Sequence, residues 1–459
     1  MGICNPGTGG KGRLIVLVTA CCVSLAFLRS APAGTYYVSP AGKDMDSGTV
    51  SAPFRTIQHA VDIAMPGDTI YVRGGIYQEA IRVSRSGNAD ASIVLTGYPG
   101  ETVIIDGGDI LPRDGASPLL LVSGDHVVVQ DLTIQNSYGI GLQLEGSYSL
   151  AARITAQRNA STGIRVTRGS RNAVYDSIVN WNGKANDRSA GRRATLWAAG
   201  LSVNGGGVRD ATLRGNTVWN NWGEGLSTFN SYYVTAEDNI VFDNFATNVY
   251  ISNTAHSLFR RNLAYLTEAN VTTGHGQLPD NFVFGDERGS PVSSDNVAIN
   301  NFVMGGGRVF SCCTGARNNV IAHNTFVNAW ASGIATVELW GSGSYSDAVF
   351  QNNLIQQDGS VAIARWAAPG LRRVRNLWSK SPGSAAMGPD DIVAAPALAK
   401  VGAILPGQLT ADWFKLLPSS PAIDKGTPVP LVKDDFFKIL RDTSPDVGAH
   451  EYVFPVPHK

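Results

Sequence analysis

The sequence predicts an all-β solenoid, a chain wound into stacked coils of short strands, and three observations carry that prediction. One short phrase recurs: "DLTI" at Asp131, "RITA" at Arg153, "SIVN" at Ser177, "NTVW" at Asn216, "NIVF" at Asn239, "NLAY" at Asn262, "NFVM" at Asn301, "NTFV" at Asn324 and "NLIQ" at Asn353. The intervals are 22, 24, 39, 23, 23, 39, 23 and 29 residues. A period near 23 with an apolar dyad after a recurrent Asn marks a unit that buries its apolar face only by stacking on its neighbours. The third observation is composition: 51 glycines and abundant Asn, Thr and Val suit tight turns between short strands.

The bulk numbers bound the rest. The 459 residues balance 37 basic against 37 acidic side chains, so no basic field exists to gather phosphates, which argues against nucleic acid as a partner. A solenoid can outgrow a single-core domain because each coil touches only its neighbours. One long domain, read as a monomer, is therefore expected over residues 34–380, followed by a capping segment over 381–459 packed on the last coils. Residues 1–33 read as a signal peptide: Lys11 and Arg13, then "LIVLVTACCVSLAFL", then "APA" at Ala31–Ala33. The apolar run is too short to span a membrane, and export to the periplasm or the medium follows. "VTAC" before Cys21 loosely fits a lipoprotein pattern, but apolar residues continue past Cys21. Of the cysteines, Cys312 and Cys313 remain after cleavage, and they read as two small apolar side chains in the stack.

Thr56 is placed to cap a short helix whose Ile57, Ala60, Val61 and Ala64 share one face. "PGD" at Pro66–Asp68 ends it and "TIYV" begins a strand. Such a helix closes the open apolar end of the first coil. The whole opening, "YYVSPAGKDMDSGTVSAPFRTIQHAVDIAMPGDTIYVRGGIYQE", resembles the start of right-handed parallel β-helix proteins of the pectate-lyase-like superfamily, which includes family-nine pectate lyases and alginate epimerases. "SPAIDKG" at Ser420–Gly426 and "DVGAHEY" at Asp446–Tyr452 are similar to the closing segment of such exported proteins. The resemblance implies the fold and a polysaccharide substrate. It also implies calcium as the ion such a lyase employs, although the family-nine aspartate cluster and the epimerase Asp-Pro-His-Asp motif are absent from this sequence.

The two 39-residue intervals each add 16 residues to one turn of the coil. The inserts, Asn182–Gly200 and Thr267–Asp280, lie three coils apart, roughly 14 Å at about 4.8 Å per coil. Two walls at that separation frame a groove for one polysaccharide chain. Its floor would come from "WNNWGEG" and "FDNFATN". There Trp222 and Phe245 are candidates to stack on sugar rings, and Asn221, Asn244, Glu224 and Asp243 to take hydroxyls. Lys184 is the sole lysine between Lys43 and Lys380. It is a candidate base for removing the proton α to a uronate carboxylate, with Arg188, Arg192 and Arg193 to neutralise that carboxylate. His275 is the alternative base. These residues describe a polysaccharide lyase working by β-elimination. Two other functions fit the same frame: a glycoside hydrolase drawing two carboxylates from Glu224, Asp243, Asp187, Glu268 and Asp280, and a non-catalytic carbohydrate-binding protein.

Overall fold

Each coil contributes one strand to each of three parallel sheets. In one representative coil these strands are Val127–Gln130, Thr133–Gln135 and Ile140–Leu144. The first and second sheets have 13 strands each and the third has 11, so the chain is an all-β solenoid as its repeat predicts. The computed structural model describes residues 33–186, 198–267, 278–287, 291–313, 315, 317–340 and 345–454. Nearly all of the predicted signal peptide, Cys21 included, lies outside the described residues. From Ala33 the chain is one compact unit.

The core is built by stacking apolar side chains on apolar side chains. Val129, Ala151, Val174, Leu213, Ala236, Phe259, Ala298, Ile321 and Phe350 follow one another in register through the first sheet, all buried. The corner between first and second sheets is two residues long, and its first residue sits in the left-handed region: Asp131, Asp238, Asn300 and Asn352 have φ between 53° and 58°. Asn and Asp tolerate that conformation, although Arg153, Arg261 and His323 also adopt it here.

The second corner residue explains the repeated Asn. Asn216, Asn239, Asn262, Asn301, Asn324, Asn353 and Asn376 form a buried ladder. In each rung the backbone N–H and side-chain amide of one Asn both donate to the Oδ1 of the next, at 2.9–3.2 Å. The Asp391 carboxylate closes the ladder, accepting from the Asn376 backbone at 2.7 Å. The strand register corrects the sequence alignment at its start. Thr155 pairs with Ile178, and Ile178 with Thr217, so Ile154 and Ser177 are the rungs before Asn216, and Asp131 and Arg153 are each one residue early.

The N-terminal end is covered by a helix and one side by the C-terminal segment. Helix Ile57–Ile63, capped by the Thr56 hydroxyl accepting from the His59 N–H, buries Ile57, Ala60 and Val61. After Ile392–Val393 the chain turns back along the outside of the second sheet. Leu409, Trp413 and Phe414 join Phe242, Tyr265 and Phe302 in one apolar cluster, with Phe414 and Phe436 against Phe302 at 4.6 and 4.4 Å. The buried Arg441 side chain pairs with Glu451 within this segment and ties it to the coils by donating to Asn300. Cys312 is buried and Cys313 half-buried, their thiols donating to the Gly315 and Phe284 carbonyls.

Asn262→Ala is expected to cost about 4 kcal/mol in urea denaturation, because it strands two buried donors of Asn239 and weakens two acceptors, each orphaned group being worth about 1–3 kcal/mol. A loss below about 1 kcal/mol would refute the ladder as a stabilising element.

Candidate functional site

Both inserts leave the helix at the corner between second and third sheets. The first follows strand Ile178–Asn180 and the second follows Leu263–Tyr265. The third-sheet strands they feed, Ala199–Arg209 and Asp280–Gly285, flank two others, Glu224–Tyr232 and Thr247–Ala255. The roots of the inserts are therefore three coils apart, and the sheet between them is the floor of a cavity of about 1200 Å³ lined by Asn204, Glu224, Phe229, Tyr250, Asp280 and Arg308 among others.

Strand register sets the polar geometry of that floor. Glu224 pairs with Thr247, and Thr247 with Asp280, so two carboxylates stand on one row, their Cα atoms roughly 10 Å apart at about 4.8 Å per strand. Glu224 is 8% exposed. Arg308 donates through Nη1 to both Asp280 oxygens at 3.2 and 3.0 Å and through Nε to Glu338. Its guanidinium lies 4.7 Å from the Trp340 ring centre. Nη2 of Arg308 has no hydrogen-bond partner among the described residues. Burial pushes the Asp280 carboxyl up to about 6, against the pull of Arg308 and with the charge of Glu338 adding to the rise. Farther along the floor Tyr250 donates to Glu287, and burial first, then that carboxylate, pushes its phenol upward. The Tyr250 ring crosses Gly285, where a Cβ would come within 2.8 Å of the Tyr250 hydroxyl.

The structure sorts the sequence candidates into four groups. Glu224 and Phe245 line the cavity, as does Asp280 from the hydrolase set. Trp222 packs against Phe245, ring centres 5.5 Å apart, at the cavity's corner. Asn221 and Asn244 are buried in a second amide ladder, Asn159–Asn182–Asn221–Asn244–Asn248, so their amides serve the coils and are withdrawn from any ligand. Asp243 turns inward as well, accepting from the Thr267 N–H at 2.6 Å and its hydroxyl at 2.9 Å, where it fixes the root of the second insert. Lys184 opens the first insert but its ammonium pairs with Asp109, on a loop of an earlier coil, and it does not line the cavity. Arg188, Arg192, Arg193, His275, Asp187 and Glu268 lie outside the described residues. Tyr250, Arg308 and Glu338 escaped the sequence reading. The signal for Tyr250 and Glu338 was the two-residue alternation of the third sheet, where Tyr250, Val283, Ser311 and Glu338 share one outward row, whereas Arg308 opens its strand on the alternate row with Phe310 and Cys312.

Calcium does not fit the described residues. No group of three or more Asp, Glu, His or Cys side chains converges among them, and on the floor Asp280 and Glu338 are held by Arg308 and Glu287 by Tyr250. No described helix is long and apolar enough to cross a membrane.

Residues 36–257 match the family described as Pel9A-like, right-handed β-helix region. The chain is a parallel β-helix whose coils resemble that family over just under half of its length. It is 35% identical over 220 residues to pectate lyase PEL9 of Emericella nidulans, covering 44% of this chain and 52% of that protein. This β-helix protein spans about half the length of the curated relatives it matches first. Among solved structures, the pectate lyase Pel9A overlays with TM-score 0.53 at 17% identity, covering 91% of this chain and 96% of that one. The complex of XylC with xylose overlays with TM-score 0.56 at 10% identity, covering 91% and 98%. At those identities the overlays establish the fold alone.

Asp280 gives a measurable sign. A carboxyl raised on folding from 3.8 to about 6 stabilises the fold below the unfolded value, and that contribution is lost as pH rises through about 6. Asp280→Asn cannot titrate, so its melting temperature minus that of the wild type should climb between pH 4 and pH 7. A difference independent of pH would contradict the assignment. Asp446, also raised to about 6, and His450, lowered to about 4, are common to both proteins and cancel.

Proposed function

We propose that the protein is an exported carbohydrate-active enzyme that binds a uronate-containing polysaccharide along the groove and cleaves it by β-elimination. The observation that carries this reading is the Asp280–Arg308 pair: a carboxyl poised near neutrality beside a guanidinium with one edge left for an acid group. The similarity to a pectate lyase supports it. Asp280, once ionised, takes the proton α to the uronate carboxylate while Arg308 pairs with that carboxylate and makes the proton more acidic. The bond from the β carbon to the glycosidic oxygen breaks, a carbon–carbon double bond forms, and the leaving oxygen takes a proton, for which Glu224 is the nearest carboxyl on the same row. Phe245 and Trp222 offer apolar faces for sugar rings.

A second reading has its own observation. Glu224 and Asp280 stand on opposite sides of Thr247, an arrangement that also suits hydrolysis, with Asp280 protonating the glycosidic oxygen and Glu224 directing water.

The two chemistries differ in the sign of their pH dependence. Elimination needs Asp280 ionised, so kcat/KM should rise through about pH 6, and ultraviolet absorbance of an unsaturated uronate should grow with each cut. Hydrolysis needs it protonated, so kcat/KM should fall through the same pH and reducing ends should appear without new absorbance. Asp280→Asn is expected to lower kcat by at least about 100-fold in either case. Activity retained in that variant would remove Asp280 from the mechanism.

A further inference from the structure

Arg308 is held more firmly than its own ion pair with Asp280 requires. Its Nε donates to Glu338, whose side chain is 12% exposed and lies one strand farther along the third sheet. Arg308 pairs with Ala335 in register, placing Glu338 three residues along the neighbouring strand. The Trp340 ring supports the guanidinium 4.7 Å away. Guanidinium is planar, so fixing Nε and Nη1 fixes the direction of every remaining N–H. Glu338 is itself approached by Arg365 at 3.8 Å. The charged groups facing this centre from the described strands are thus Glu224, Asp280, Arg308, Glu338 and Arg365, with Glu287 farther along against Tyr250.

We propose that Glu338 is a positioning residue: by taking the Nε edge of Arg308 it holds the guanidinium so that Nη1 serves Asp280 and the Nη2 edge recognises the carboxylate of an acidic sugar. This rests on the uronate reading above and adds a specificity determinant to it. Without Glu338, a single carboxylate is left to orient Arg308, and the guanidinium is free to swing its bidentate face onto Asp280. The groove then loses its preference for an acidic over an esterified sugar, while the aromatic contacts, which are blind to that charge, remain.

The test compares binding and turnover of an acidic uronate polymer with those of the same polymer methyl-esterified, by calorimetry and steady-state kinetics, using the full-length protein. The wild type is expected to favour the acidic polymer, and Glu338→Ala to raise KM for it by about 10-fold while KM for the ester moves less than about two-fold. Glu338→Gln keeps an amide oxygen that accepts from Nε, so it should recover most of the preference. Melting curves for each variant separate unfolding from lost recognition. Two negative outcomes are distinct. A wild type that favours the acidic polymer while Glu338→Ala keeps the same ratio overturns the role of Glu338 alone. A wild type with no preference for the acidic polymer overturns the uronate reading, and the proposal with it.

Discussion

The amide ladders are the constraint on which the rest depends. A coil corner exposes backbone N–H groups that the next coil's strands cannot reach, and burying them unpaired would cost about 1–3 kcal/mol each. An Asn one coil later supplies its Oδ1 to such an N–H and shares its own amide hydrogens between both neighbouring coils, as Asn239 does onward to Asn262 and back to the Leu213 carbonyl. The chain satisfies each corner only if the next corner arrives at the same place. That requirement makes the coils superimpose, and it explains why extra residues are inserted after a rung and never within one. The second ladder shows the rule under stress. Where Thr267 replaces the expected Asn, Asn248 from the neighbouring strand turns in to accept from Asn244, and its own amide continues to Asn281.

That rule also places the groove. The second ladder fixes the corner between second and third sheets, where both inserts begin, so the roots of the inserts are held in line along the solenoid. The two third-sheet strands between them have 9 residues each and the flanking Ala199–Arg209 has 11, longer than elsewhere in that sheet, which widens the floor. Outward residues on these strands alternate with core residues, so every second side chain is available to the site. Gly285 lets the Tyr250 ring lie across the sheet.

Much of this was legible in the amino-acid sequence, and the exceptions have physical causes. The Asn repeat gave the coil and the 39-residue intervals gave the inserts, because both follow from local periodicity. The start of the repeat was misaligned by one residue because Leu132, Ile154 and Ser177 fill the rung without an amide, leaving polar Asp131 and Arg153 to be mistaken for it. Asn221 and Asn244 looked like ligands for sugar hydroxyls because composition cannot tell an amide that faces the groove from one that faces the next coil. Lys184 stood out by its rarity, but an ion pair to Asp109, 75 residues earlier, is invisible to periodicity. Arg308 and Glu338 were missed for the opposite reason. Glu338 sits in a regular strand, where an outward charged residue reads as ordinary surface, and Arg308 shares the alternation of core residues Phe310 and Cys312, so only register shows either beside Asp280.

The charge balance of the floor is consistent with the proton transfer proposed above. Glu224, Asp280 and Glu287 line the cavity with Arg308 as the cation among the described lining residues. A buried carboxyl with a raised pKa favours the protonated fold, so at neutral pH Asp280 weakens the protein it belongs to. A well-packed apolar residue at that position would serve the coil better, as Phe282 and Phe284 do two and four residues later, facing the core at 1% and 0% exposure. Strand Asp280–Gly285 thus carries both solutions side by side: apolar residues where the coil needs burial, and a titrating acid where the groove begins. The coil has no use for that acid, whereas a reaction that moves a proton near neutral pH does.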